Sequence, residues 1–160
     1  MRISRLATYG LSITLLLGCV DAKPSDERSF KMNEAGSSHD VASRGRKFAE
    51  KLGLVFPRSA QFSLADYEEG HDDNARLIVT MPLSDWDKLR RASVFAGATF
   101  SGDSNHHLGP DDPSGPWQFS DLAGLQTAQV TVGDGRESLN VGYAPAKNDM
   151  VTLYIFWFQL

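Results

Sequence analysis

The chain has 160 residues, of which 41% are hydrophobic and 22% charged, and this composition is typical of a single globular domain. It carries 16 lysines and arginines against 20 aspartates and glutamates, so its formal net charge is −4, which argues against nucleic acid as a partner. The single cysteine excludes an internal disulfide, so the domain must be stabilised by its core alone.

The N-terminus has the features of an exported protein. Arg2 and Arg5 precede an uncharged, mostly apolar run over residues 6–18. As a helix this run spans about 20 Å, which is too short for a hydrocarbon core of about 30 Å. A short apolar run behind a basic start is typical of a secretory signal peptide. The run ends in the sequence LLGC, whose last residue is Cys19.

The LLGC sequence resembles the lipobox of bacterial lipoproteins. This resemblance implies that residues 1–18 are a signal peptide and that the mature chain begins at Cys19, whose sulfur carries a diacylglyceryl group. Because several acyl chains, such as palmitate, on one residue bind a membrane stably, we predict the lipid membrane as a partner through Cys19 and no other cofactor. The alternative is an ordinary signal peptide or an uncleaved anchor with an incidental cysteine.

The predicted location is the cell envelope. Val20, the residue after the lipidated position, resembles the sorting pattern that sends lipoproteins to the outer membrane. We therefore expect the protein on the inner leaflet of the outer membrane, facing the periplasm. Residues 19–38 are polar and rich in Ser, Glu, Asp and Lys, which predicts a flexible tether with a reach of roughly 25 Å. Residues 39–160 then form one domain.

A helix is predicted from about Asp40 to Leu52. Three further apolar residues, Val41, Phe48 and Val55, lie near one face of it together with Leu52 by the 3.6-residue period. The helix is also basic, through Arg44, Arg46, Lys47 and Lys51. These residues indicate either contact with anionic lipid beside the anchor or a solvated face of a helix docked on a sheet. We favour the solvated face, because Gly45 and Glu50 weaken the amphipathic basic pattern.

A β-hairpin is predicted next. Phe62 and Leu64 alternate with polar residues, as in a half-buried strand. The sequence EEGHDDN at residues 68–74 has the composition of a turn, and residues 77–81 are β-branched and apolar. Pro82 ends this second strand.

A second helix is predicted after the hairpin. Ser84 followed by Asp87 resembles a capping box. Trp86, Leu89 and Ala92 fall near one face of this helix. Residues 97–120 are then rich in Gly, Pro, Ser, Asp and Asn, which indicates a long loop, and we expect Trp117 to hold its end in place.

The last forty residues predict an antiparallel meander. Apolar residues alternate twice, at Ala128, Val130 and Val132 and again at Leu139, Val141 and Tyr143. Residues 150–160 are apolar on both faces, so the last strand is expected at the centre of the sheet. The predicted fold is α+β: an antiparallel sheet, built from a C-terminal three-stranded meander and an earlier hairpin, with two helices packed on it. Helices on one face and a loop or helix on the other would cover the central strand.

The domain also resembles small uncharacterised bacterial lipoproteins. The resemblance rests on Pro57-x-Ser59-Ala60, on Tyr67-x-Glu69-Gly70-x-Asp72-Asp73, and on a strand ending at Met81-Pro82 before the helix at Asp85. The final hairpin and the aromatic strand with Trp157 also fit this group. The resemblance covers most of residues 57–160; it supports the fold and implies no activity.

Two groups of histidines and aspartates are candidate metal ligands, since imidazole and carboxylate both bind zinc. The candidates are His71 and Asp72 in the hairpin turn, with Asp73 beside them, and His106, His107 and Asp111 in the long loop, with Asp112 beside them. We favour the interpretation of both groups as polar loop surface and expect no metal, because adjacent histidines in a loop rarely bind one ion together. Asp72 and Asp73 would then accept local backbone hydrogen bonds in the turn.

The sequence contains no catalytic motif that we recognise, such as a Gly-x-Ser-x-Gly elbow or a Walker loop. We therefore favour a non-catalytic binding module in the periplasm, of inhibitor or immunity type, whose partner is another envelope or secreted protein. The candidate binding residues are Asp72, Asp73, Asn105, His106, His107 and Trp117. The alternatives are a structural envelope lipoprotein and a metal-dependent hydrolase that uses the His/Asp loops.

Overall fold

Two α-helices and five β-strands form the folded part of the chain in a computed structural model, which describes residues 38–68, 73–102, 105–145 and 147–159, without the side chains of Asn105 and His106. The described residues belong to one compact unit. The predicted signal peptide, the tether and Cys19 lie outside the described residues, as do the candidate ligands His71 and Asp72.

The helices and strands follow one another in the order expected from the sequence. They are α1 (Ser38–Lys51), β1 (Gln61–Glu68), β2 (Asn74–Pro82), α2 (Leu83–Ala92), β3 (Gln126–Val132), β4 (Glu137–Tyr143) and β5 (Met150–Gln159). All neighbouring strands are antiparallel, in the spatial order β1-β2-β5-β4-β3. The predicted α+β fold, with its hairpin, its meander and its central last strand, is confirmed.

Both faces of the sheet are covered. On the first face, α1 and α2 pack over a large core that includes Val79, Leu139 and Ile155. On the second face, a smaller cluster joins sheet residues to the segment between α2 and β3: Ile78, Leu108, Trp117, Phe119, Leu125 and Tyr154. Alternate residues of β5 supply the two cores, which explains why this strand is apolar throughout.

The inner face of α1 differs in part from the prediction. Gly45 and Ala49 are its buried residues, whereas Val55 is 78% exposed. The helix ends at Lys51, and the chain turns at Gly53, whose φ of 71° is the left-handed conformation that glycine tolerates. The Leu54 N–H then donates to the Ala49 carbonyl oxygen. Because the chain turns at Gly53, Val55 no longer follows the helical period and points into solvent.

A bulge in β1 interrupts the alternation that the sequence predicts for this strand. The register with β2 shifts between Phe62 and Leu64. Alternation would put these two residues on one face of the sheet, but Phe62 lies in the core under the helices and Leu64 packs against the second cluster. One extra residue in the strand therefore divides them between the two cores.

The predicted capping box of α2 is wrong. The helix begins at Leu83, one residue before Ser84, and no side chain caps it. The Leu83 N–H instead donates to the Asp149 carbonyl oxygen, at 2.8 Å. Trp86 is buried as expected, but Ala92 is exposed at the end of the helix. Backbone from the β4–β5 turn thus accepts the first N–H of the helix.

A candidate binding surface on the second face of the sheet

The segment from residue 105 to residue 122, here called the cap, lies over the second face of the sheet. It begins with a 3₁₀ turn, Asn105–Leu108. Trp117 is 1% exposed, and its ring centroid lies 5.8 Å from that of Phe119 and 5.7 Å from that of Tyr154. Trp117 therefore holds the loop on the sheet, as predicted, and does so from within the core.

A glycine in β4 makes room for the cap. A Cβ atom added at Gly142 would lie 2.5 Å from the Leu108 Cδ1 atom and 3.4 Å from the Leu125 Cδ1 atom. Both leucines are buried, Leu108 within the cap and Leu125 just after it. Sequence reasoning overlooked Gly142, although a glycine inside a strand often marks the close approach of another segment.

Hydrogen bonds within the cap define its shape. The Asp112 N–H donates to the Trp117 carbonyl oxygen at 2.8 Å, and the Gly115 N–H donates to the Asp112 carbonyl oxygen at 3.2 Å. The Asp112 Oδ1 atom accepts from the N–H and the hydroxyl of Ser114, and the Gln118 amide donates to the Gly115 carbonyl oxygen at 2.9 Å. This is the pattern by which aspartate stabilises a tight turn, so the segment is ordered by its own polar groups as well as by Trp117.

Asp111 connects the middle of the cap to its last residues. Its carboxylate accepts the N–H groups of Phe119, at 3.0 Å, and Ser120, at 3.2 Å. Burial raises the pKa of Asp111, but hydrogen bonds from the Ser120 hydroxyl and from these two N–H groups outweigh burial and leave the pKa below its usual value. The pKa of Tyr154 is raised, first by burial and then by the Asp111 charge. Asp111, a candidate metal ligand, thus uses both oxygens to hold the cap.

A shallow cavity of about 320 Å³ opens beside Asp111. Its lining is Asp111, Pro113, Gln118, Phe119, Asp121 and Leu122. The cap as a whole carries three aspartates and no lysine or arginine. Carboxylate and amide oxygens on an apolar floor accept hydrogen bonds, so the surface suits a basic or hydroxyl-bearing group of a partner.

The other candidate site residues are only partly placed. His107 is half-buried in the 3₁₀ turn, and Asp73 accepts a hydrogen bond from the Tyr67 hydroxyl at 3.0 Å. Among the described residues, no group of three or more His, Cys, Asp or Glu side chains is arranged to hold a metal ion. Since His71, Asp72 and the side chain of His106 lie outside that part of the chain, the metal candidates stay untested.

A second polar group lies at the start of α2, away from the cap. The Ser59 hydroxyl donates to the Asp85 carboxylate at 2.6 Å, and the Lys88 ammonium donates to the same carboxylate at 3.1 Å. The Ser59 hydrogen bond, followed by that of Lys88, lowers the pKa of Asp85. A carboxylate with a lowered pKa is a weak general base, so we assign this exposed group a structural role. It links Ser59, which precedes β1, to Asp85 in α2.

No protein-family model, curated protein or solved structure matches the chain. No helix within the described ranges combines the length and apolar character needed to cross a membrane.

Proposed function

We propose that the protein is a bacterial lipoprotein, anchored by lipid on Cys19, whose folded domain is a non-catalytic module that binds another envelope or secreted protein. The basic start, the short apolar run and the LLGC sequence support the anchor. In the producing cell, Cys19→Ser is expected to move the protein from the membrane fraction to the soluble fraction. A Cys19→Ser variant that stays with the membrane in high salt would contradict the anchor.

The cap is the surface that best supports a binding function. A loop that is ordered before it meets its partner loses little conformational entropy on binding, as in protein inhibitors of enzymes. The hydrogen bonds of Asp111 and Asp112 and the burial of Trp117 give the cap this order. Its exposed polar residues, among them Ser114, Gln118 and Asp121, are then available for contact. The ordered acidic cap is the observation that carries the binding proposal.

The binding proposal predicts a partner with a basic surface, which a charge reversal on the cap would repel. We would capture proteins from the envelope and secreted fractions with three forms of the chain: unchanged, with Asp121→Lys in the cap, and with Asp134→Lys in the β3–β4 turn. Both aspartates are exposed, so both variants are expected to fold. Like charges facing each other across an interface cost several kcal/mol, so only Asp121→Lys should lose the partner.

Two results would contradict this assignment. One is a stoichiometric partner that all three forms capture equally, which would place the interface elsewhere on the domain. The other is the absence of any stoichiometric partner from fractions in which the unchanged protein is folded. Deleting the loop is a poorer test, because Leu108 and Trp117 belong to the core and their loss would destabilise the domain.

A further inference from the structure

The charges of the domain are segregated along the chain. Residues 38–60 contain five lysines and arginines against two acidic residues, a net charge of +3. Residues 61–160 contain six against fourteen, a net charge of −8. A basic first segment on an otherwise acidic domain is an electrostatic asymmetry that orients a protein near a charged surface.

The basic residues of α1 form a continuous exposed stripe. Arg44, Lys47 and Lys51 follow at spacings of three and four, so they lie side by side on the helix, and all three are exposed. Gly45 does not interrupt this stripe, because it is buried against the sheet on the opposite side. Glu50 lies on the flank of the stripe. Gly45 therefore does not weaken the basic face, contrary to the expectation from the sequence.

Arg46 does not belong to the stripe and instead binds the loop that follows α1. Its guanidinium donates to the carbonyl oxygens of Phe56, at 3.3 Å, Pro57, at 3.2 Å, and Ala60, at 3.0 Å. These bonds hold the loop after α1 against the helix, and a further contact at 3.4 Å reaches the Arg58 carbonyl oxygen. The Arg58 side chain itself is exposed.

Two large hydrophobic residues, one in the same loop and one in the neighbouring strand, are also exposed. Val55 is 78% exposed and Tyr67 is 49% exposed, and they are the large hydrophobic residues with high exposure in the described part of the chain. The Tyr67 ring packs 5.7 Å from that of Phe48 on α1. Half-exposed aromatic and apolar groups next to lysines and arginines are typical of surfaces that meet the headgroup region of a membrane.

We infer that the basic face of α1, which comprises Arg44, Lys47 and Lys51, docks on anionic phospholipid headgroups. Among the described residues, Lys47, Lys51 and Arg58 form no ion pair, whereas Arg44 lies 3.5 Å from the Asp40 carboxylate. The inference rests on the proposed anchor, because Ser38 follows Cys19 by only 19 residues and the lipid would keep α1 near the bilayer.

Docking through α1 would also orient the cap. The helices cover the first face of the sheet and the cap covers the second face. With α1 on the membrane, the acidic cap would be turned towards the periplasm, where a soluble partner meets it. The net negative charge of residues 61–160 favours the same orientation, because an anionic surface repels it.

The test uses the mature chain, residues 19–160, with Cys19→Ser, so that no acyl chain contributes to binding. Every contact described above lies between residues 38 and 159, all of which this chain retains. Co-sedimentation would measure its partition onto vesicles of phosphatidylcholine alone and of phosphatidylcholine mixed with phosphatidylglycerol. We expect binding only to the vesicles that contain phosphatidylglycerol, with a partition coefficient that falls as salt is added.

Two matched variants distinguish the basic face from net charge. The first combines Arg44→Gln, Lys47→Gln and Lys51→Gln in the basic face. The second makes the same change of charge elsewhere, with Arg91→Gln, Arg136→Gln and Lys147→Gln. Each basic residue at an anionic surface contributes about fivefold, so the first variant should lose about a hundredfold in partition and the second much less.

The inference fails if the chain binds neither kind of vesicle, binds both equally, or loses as much affinity in the second variant as in the first. The anchor is tested separately, by the membrane fractionation of Cys19→Ser in the cell. A chain that is acylated in the cell but does not bind anionic vesicles without its lipid would refute the docking face alone. A chain that binds such vesicles but is never acylated would refute the anchor alone.

Discussion

Gly45→Ala is expected to destabilise the protein, against the usual effect of this change in a helix. Replacing a glycine inside a helix by alanine ordinarily stabilises by about 1 kcal/mol. Here the added methyl group would overlap the Phe62 ring, with Cε1 at 2.7 Å and Cγ at 3.0 Å. The ring has little room to move, because it is buried, packs 5.4 Å from the Phe56 ring and lies under the Arg46 guanidinium.

The size of the effect follows from the balance of these two contributions. Overpacking a filled core costs about 1–3 kcal/mol, so Gly45→Ala should lower the free energy of unfolding by about 1 kcal/mol in total. Urea unfolding would measure it as a lower midpoint at an unchanged m-value. Phe62→Ala provides the control: this change alone should cost about 3–5 kcal/mol, and Gly45→Ala added to it should stabilise by up to about 1 kcal/mol. A stabilising effect of Gly45→Ala in the unchanged protein would refute the close approach of α1 to β1.

Three further changes test the second face and the loop after α1. Arg46→Met should lower the free energy of unfolding by about 2 kcal/mol, because the loop carbonyl groups that Arg46 binds would lose their charged donor. An unchanged midpoint of urea unfolding would contradict a stabilising role for the Arg46 hydrogen bonds. Gly142→Ala should raise the proteolysis rate of the cap, because the added methyl group would displace Leu108. Equal cleavage rates of the variant and the unchanged protein would refute the close packing of Leu108 on Gly142. Because the pKa of Asp111 is lowered on folding, its stabilising effect is present above its unfolded pKa of about 4 and is lost as pH falls through the folded value. The stability difference between the unchanged protein and Asp111→Asn should therefore shrink below about pH 4, and a difference independent of pH would contradict the pKa assignment.

Much of the sheet follows from local sequence patterns. The alternation around Val130 and Val141 predicts two half-buried strands, and the continuous apolar run at residues 150–160 predicts the central one. These signals are reliable because each strand must bury a face, or both faces, whatever its neighbours are. The position of Trp117 follows from similar reasoning, since a large aromatic side chain in a polar loop needs somewhere to pack.

The errors lie where distant residues decide local structure. The start of α2 depends on a carbonyl group of Asp149, and no pattern near Ser84 reveals it. The β1 bulge depends on two separate cores, since Phe62 packs on one face of the sheet and Leu64 on the other. The order of the cap depends on Asp111, which looks like one of several acidic loop residues until its acceptor role is seen.

We propose that Cys19 carries the lipid that places this domain on a membrane. The most direct test is the intact mass of the protein extracted from the membranes of the producing cell, together with its N-terminal peptide. The proposal predicts a chain of 142 residues that begins at Cys19 and is heavier than its sequence by at least a diacylglyceryl group. A chain that begins at another residue, or one that begins at Cys19 without added mass, would contradict it.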